Sequence, residues 1–230
     1  MAKNPIDFPL VRLTDVAEIL DPEGFAKKLA AAAPKSELTF IICPDEYEPG
    51  KLKMDIVEGS GIEDAYAIFP KPDISLIYLA AILNTDVVRQ QLAEGQPDEA
   101  HEISLQALSD LPVRKLEQKE MTSIGYLHYL LSSIESLEAA AQSNRQLSDA
   151  RDLFTDLKNV LALELVRPAA FQEHQSSAFA EWFDLISPFF AREDRYDVKS
   201  ISKDLCAKLQ APGNQLMERV RQFKETAKSI

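Results

Sequence analysis

The stretch LEQKEMTSIGYLHYLLSSIESLEAAAQSNRQLSDARDLFTDLKNVLALELVR, residues 116–167, holds no proline and a single glycine, Gly125. Ile124, Leu127, Leu131 and Ile134 recur at a 3-4-3 spacing, and Leu147, Ala150, Phe154, Leu157 and Leu161 at 3-4-3-4. Such intervals gather apolar side chains on one side of an α-helix. Between the two runs, Gln142-Ser143-Asn144-Arg145 is polar all round and breaks the phase. One unbroken helix would span ~75 Å at ~1.5 Å per residue, which is long for a globular chain. The stretch therefore reads as two packed helices, a hairpin more than a rod. Pro168 closes the second of them, and further helices are expected over 176–190, 198–210 and 214–228, the last with Leu216, Val220 and Phe223 on one face.

Upstream the texture changes to short apolar runs punctuated by proline. Asp21-Pro22-Glu23 opens a helix: the aspartate accepts from free amides, proline has no N–H to lose, and glutamate suits the positive end of the dipole. Phe25, Leu29 and Ala33 carry that helix to Pro34. Leu38–Cys43 reads as a buried strand, rich in β-branched and aromatic residues. Leu52, Met54 and Ile56 alternate with polar neighbours, the mark of a half-buried strand. Ala65–Phe69 is a third strand, and Glu102-Ile103 a short fourth. The apolar density from Ser75 to about Leu83 suggests a helix with a buried stripe. Thr85 caps another that ends at Gly95, and Ser104 opens a helical turn before Leu111-Pro112-Val113. The expected fold is α+β: a small mixed domain over 1–115, the spacer helix or helical hairpin over 116–167, and a helical C-terminal extension over 168–230.

The chain has 230 residues, 46% hydrophobic and 27% charged, enough apolar surface for a real core and too much for a disordered chain. Its formal net charge is −12, of which the first 115 residues carry −9. Cys43 and Cys206 lie far apart and suit buried thiols in a reducing cytosol. The opening MAKNPIDFPL has no apolar signal region, and no run is long enough to span a membrane, so a cytoplasmic protein is expected. Catalytic groupings do not emerge. His101, His128 and His174 have no partners at metal-ligand spacing, and neither cysteine sits beside a base. Gly59-Ser60-Gly61 lacks the lysine of a phosphate-binding loop and reads as a turn. Asp45/Glu46 and Glu63/Asp64 are adjacent acids of a solvated edge. The aromatic block of Phe179, Trp182, Phe183, Phe189 and Phe190, with Ala178, reads as core of the C-terminal helices. Neither a cofactor nor a metal is expected, and no residue is assigned a catalytic role.

Three ordered segments carry a resemblance. Val11-Arg12-Leu13-Thr14-Asp15-Val16-Ala17-Glu18-Ile19 is similar to the opening of a target-recognition domain in the specificity subunits of type I restriction–modification enzymes. Ile74-Ser75-Leu76-Ile77-Tyr78-Leu79, followed by Ile82-Leu83-Asn84-Thr85, resembles the helix that follows in that family. Ile103-Ser104 to Leu108, Leu111-Pro112-Val113 and Leu116-Glu117-Gln118 resemble the stretch that closes the domain and opens its spacer helix. The pattern covers residues 11 to about 165.

The resemblance implies a non-catalytic part of a DNA methyltransferase complex. The mixed domain would read half of a bipartite DNA site, and the helices would set spacing and dock an adenine-N6 DNA methyltransferase subunit. Family members usually carry two such domains. This chain has one, which implies pairing with a second copy or another chain. Lys35, Lys51, Lys53 and Lys71 are the candidate DNA contacts, because phosphate neutralisation needs lysine or arginine. Leu147, Phe154, Leu157 and Leu161 are the candidate partner or dimer surface. The acidity of the mixed half motivates a second reading: an interaction adaptor or regulator that keeps the fold and does not bind DNA.

Overall fold

The computed structural model describes residues 8–31, 39–44, 53–58, 65–94, 103–140, 144–167 and 177–227. Contacts divide the chain into two compact units, a mixed one over Pro9–Met121 and a helical one that starts at Thr122. The fold is α+β and mostly helical.

In the mixed unit, β1 (Leu10–Arg12), α1 (Leu13–Val16), β2 (Ala17–Leu20) and α2 (Pro22–Ala31) come first. They are followed by β3 (Thr39–Pro44), β4 (Asp55–Glu58), β5 (Ala65–Pro70), α3 (Leu76–Leu83), α4 (Asp86–Glu94), α5 (Leu105–Ser109) and β6 (Pro112–Arg114). One antiparallel sheet has the order β2-β5-β3-β4, and a separate ribbon pairs β1 with β6. Asp21 opens α2 as expected: its carboxylate accepts from the Gly24 amide at 2.7 Å. The helix then lays Phe25 on Phe40, with ring centroids 4.7 Å apart, and Phe40 meets Phe69 at 5.0 Å. Ile42, Ala65 and Ala67 complete this small core. Tyr78 to Leu83 are all buried in α3, more than the single stripe expected there.

Several expected elements differ. β1 and β2 were not anticipated, because each is three or four residues long and a single helical turn separates them. The strand foreseen on Leu52, Met54 and Ile56 begins only at Asp55, and its alternation does not hold: Met54 is buried while Ile56 is 36% exposed. The cause is Asn84, whose side chain accepts from the Met54 amide (2.9 Å) and donates to the Met54 carbonyl (2.5 Å), fixing that residue before the strand starts. Ile103 forms no strand; its carbonyl accepts from the Tyr66 hydroxyl at 2.9 Å. Gly95, Glu102 and Ala33 lie outside the described residues.

The helical unit takes in most of α6 (Gln118–Ala139) and all of α7 (Arg145–Val166), α8 (Ala178–Phe190), α9 (Val198–Leu209) and α10 (Gln215–Ala227). In a continuous helix, Glu138 and Arg151 would lie ~20 Å apart. Instead they are ion-paired at 2.5 Å, so the chain turns back between α6 and α7. Phe179, Trp182 and Phe189 are buried, and the Trp182 indole donates to the Ser123 carbonyl at 3.1 Å, so the aromatic block is largely core. Leu216 and Val220 are buried as expected of α10, while the Phe223 side chain lies outside the described residues. Among the described residues, no helix is long and apolar enough to cross a membrane.

Candidate functional site

The mixed unit closes on itself through a seam. Leu10, Val11 and Arg12 pair antiparallel with Arg114, Val113 and Pro112. The Leu13 amide donates to the Leu111 carbonyl at 2.8 Å, and the Lys115 amide to the Pro9 carbonyl at 3.0 Å. From α3, the fully buried Tyr78 donates its hydroxyl to the Arg114 carbonyl at 2.6 Å. Opening segment, central helix and closing segment, far apart in sequence, thus meet at one place. Lys115 also pairs with Asp73 at 2.6 Å, and this ammonium holds the Asp73 carboxyl below its ordinary value.

Two of the four candidate DNA contacts, Lys35 and Lys51, lie outside the described residues. Lys53 is exposed and paired with Asp55 at 3.2 Å. Lys71 is exposed and donates to the Asp15 carbonyl at 2.7 Å, at the end of α1. The register separates the pair. Pro44 of β3 lies opposite Ala65, and Ile42 opposite Asp55, so Lys53 is at the end of the sheet where β4 and β5 begin. Lys71 follows Pro70, at the other end, about five residues or ~17 Å along β5. A cluster of Lys53 with Lys71 does not form.

Leu147, Phe154, Leu157 and Leu161 are each 2% exposed or less. They fill the interior of the helical unit itself, so their side chains present no surface to a partner. The heptad-like spacing marked a seam, and the seam is covered by the chain's own helices.

The helical unit's surface offers something else. The turn 191–197 between α8 and α9 is pinned from several sides. Arg192 bridges Asp194 and Asp204, both at 2.6 Å, and these contacts hold the Asp194 carboxyl down at about 2. Ser200 donates to Asp194 at 3.1 Å. Tyr126, from α6, donates its hydroxyl to the Arg195 carbonyl. Burial pushes that phenol up to about 12. These contacts tie the turn down and present Tyr196 with 64% of its surface exposed, its ring at a T-shaped angle to Tyr129 and under the Arg195 guanidinium. Beside Tyr196 runs an open groove of about 430 Å³ between Ser133, Ser136 and Leu137 of α6 and Asp197, Val198 and Lys199 at the start of α9.

A buried polar junction lies deeper. Glu164, near the end of α7, accepts from the Phe179 amide at 2.7 Å and bonds the Ser177 hydroxyl, so it caps α8 from outside. Burial outweighs those bonds and raises its carboxyl above the ordinary value. Arg219 of α10 contributes its charge there and pairs with Glu181 at 3.3 Å.

Among the described residues no group of His, Cys, Asp and Glu could hold a metal ion. Cys43 is buried and in no disulfide; the Cys206 thiol is pushed up to about 11 by burial and by Asp149, which disfavours the thiolate a nucleophile needs. His101, His174, the Gly59–Gly61 turn and the acidic pairs fall outside the described residues. Sequence reading missed Tyr196 and its turn, although Arg195, Lys199 and Lys203 at steps of four were legible as a cationic row. No family model, curated protein or solved structure matches the chain.

Proposed function

We propose that the protein is a cytoplasmic, non-catalytic recognition subunit of a DNA adenine-N6 methyltransferase complex. On this reading the mixed unit reads the target, and the helical unit holds the methyltransferase subunit and a second copy of the chain. One observation carries it. The three segments that resemble a target-recognition domain meet in the β1–β6 seam, with Leu13 bonded to Leu111 and Tyr78 to Arg114. A module that starts and ends at one seam can be set into a larger assembly without strain on its interior.

A second reading, an acidic adaptor that does not bind DNA, is favoured by the net charge of −9 on residues 1–115 and by the separation of Lys53 from Lys71. Each phosphate contact needs a cation, and counterion release supplies most nonspecific affinity. Co-expression with adenine-N6 DNA methyltransferase subunits of the same genome separates the readings. The recognition subunit should co-purify with one of them and confer methylation of one duplex sequence that disappears when this chain is left out. Co-purification with no change in methylation would establish the adaptor, and no association with any of them would remove both partner assignments.

A further inference from the structure

In the mixed unit, the cations Lys27, Lys28, Lys53 and Lys115 each have a carboxylate within ion-pair reach. On the helical unit, Arg151, Arg192 and Arg221 do as well. Arg195, Lys199 and Lys203 have none among the described residues. They recur at steps of four: Arg195 in the pinned turn, Lys199 and Lys203 one helical turn apart on α9, ~6 Å along its axis. Lys199 and Lys203 are exposed, and the row borders both Tyr196 and the groove. The nearby Asp197 carboxylate is turned back on the α9 amides of Lys199 (3.1 Å) and Ser200 (3.2 Å). Glu193 is the other exposed acid of the turn, and residues 192–204 together carry four cations and four carboxylates, so the row stands on a stretch that is neutral overall.

We propose that this surface binds a single strand of nucleic acid, with Lys199, Lys203 and Arg195, from its place over the Tyr196 ring, facing the phosphates and an unpaired base stacked on the part of that ring Arg195 leaves open. The charges alone would serve any anion. What favours a nucleic-acid strand is the aromatic among them: Tyr196 keeps 64% of its surface exposed while Arg192, Tyr126 and Tyr129 hold its turn in place. Alternating cations with an exposed ring is the arrangement that takes phosphates and bases together. A turn already held by these bonds has less ordering to lose on binding. A peptide of acidic residues alone would use the cations and leave the ring unused. The inference does not rest on the methyltransferase reading, which concerns sequence in duplex DNA.

The test uses the full chain and a fluorescein-labelled oligothymidylate, read by anisotropy across a salt series, with the matching duplex and a polyglutamate peptide as competitors. We expect the single strand to bind at low salt, with affinity falling by about 2 powers of salt concentration for three contacts. Lys199→Gln with Lys203→Gln should bring that slope below about 1. Tyr196→Ala should weaken binding roughly tenfold and leave the slope unchanged. Unaltered melting of these surface variants establishes that they fold. The proposal is overturned if the strand is not retained, if the variants bind as the parent does, or if polyglutamate displaces the strand at equal charge. Sequence-dependent methylation of duplex is read separately, so either idea can fail alone.

Discussion

Tyr78 has no exposed surface, yet it carries a hydroxyl, and that hydroxyl donates to the Arg114 carbonyl at 2.6 Å. A buried phenol is retained at such a place only if it is bonded. Tyr78→Phe keeps the packing and removes the buried bond to the Arg114 carbonyl, so it should cost the mixed unit ~1–3 kcal/mol, measured as a lower urea midpoint at unchanged slope. Leu157 makes a different point. Its place in a 3-4-3-4 row was legible, but the row could not say whether the chain or a partner covers it. It is 0% exposed within its own unit, so a charge there has no water to reach. Leu157→Asp should abolish the cooperative thermal transition of the helical unit, read by circular dichroism. A variant that melts like the parent and only changes its mass in light scattering would contradict that placement.

Between elements, Glu164 joins the end of α7 to the start of α8. Its carboxyl is raised above the ordinary 4.5 by burial, which wins over the Phe179 amide, the Ser177 hydroxyl and the charge of Arg219. A raised acid binds its proton more tightly folded than unfolded. Its contribution to stability is therefore complete below pH 4.5 and is lost as pH rises through the folded value. Glu164→Gln keeps an oxygen for the Phe179 amide and removes the titration. The difference in unfolding free energy between parent and variant should drift with pH above 4.5 and be flat below it. A difference that does not vary with pH would mean that the carboxyl is not perturbed.

The same scale explains what sequence could supply. Local signals, such as Asp21 before Pro22, Ser104 as a cap and apolar rows at helical spacing, mark α2, α5 and the helices after residue 116, because each depends on neighbours within a turn. β1 and β2 escaped because a three-residue strand has no period of its own; its existence depends on β6 and β5, tens of residues away. β4 was misplaced for the same reason. Asn84, thirty residues on, fixes Met54, and nothing near Met54 announces it.

For the molecule as a whole, charge decides how DNA can be engaged. With −12 overall, the chain repels a phosphate backbone except where cations face it unpaired. The candidate contact Lys53 is exposed and tied to Asp55, and the register holds it away from Lys71. Asp55 already offsets the charge of such a lysine, so little of it is left for a phosphate. In a complex with the methyltransferase subunit, Lys53→Glu should therefore change duplex affinity by less than about twofold and leave the salt slope in place. The α9 row behaves differently, since Lys199 and Lys203 have no carboxylate partner among the described residues. A filter-binding titration of the complex at several salt concentrations measures both quantities. If Lys53→Glu instead weakens binding by roughly tenfold or more and lowers the slope by about 1, the mixed unit holds a phosphate at the β4 end. The contact surface would then have to be drawn there despite its acidity.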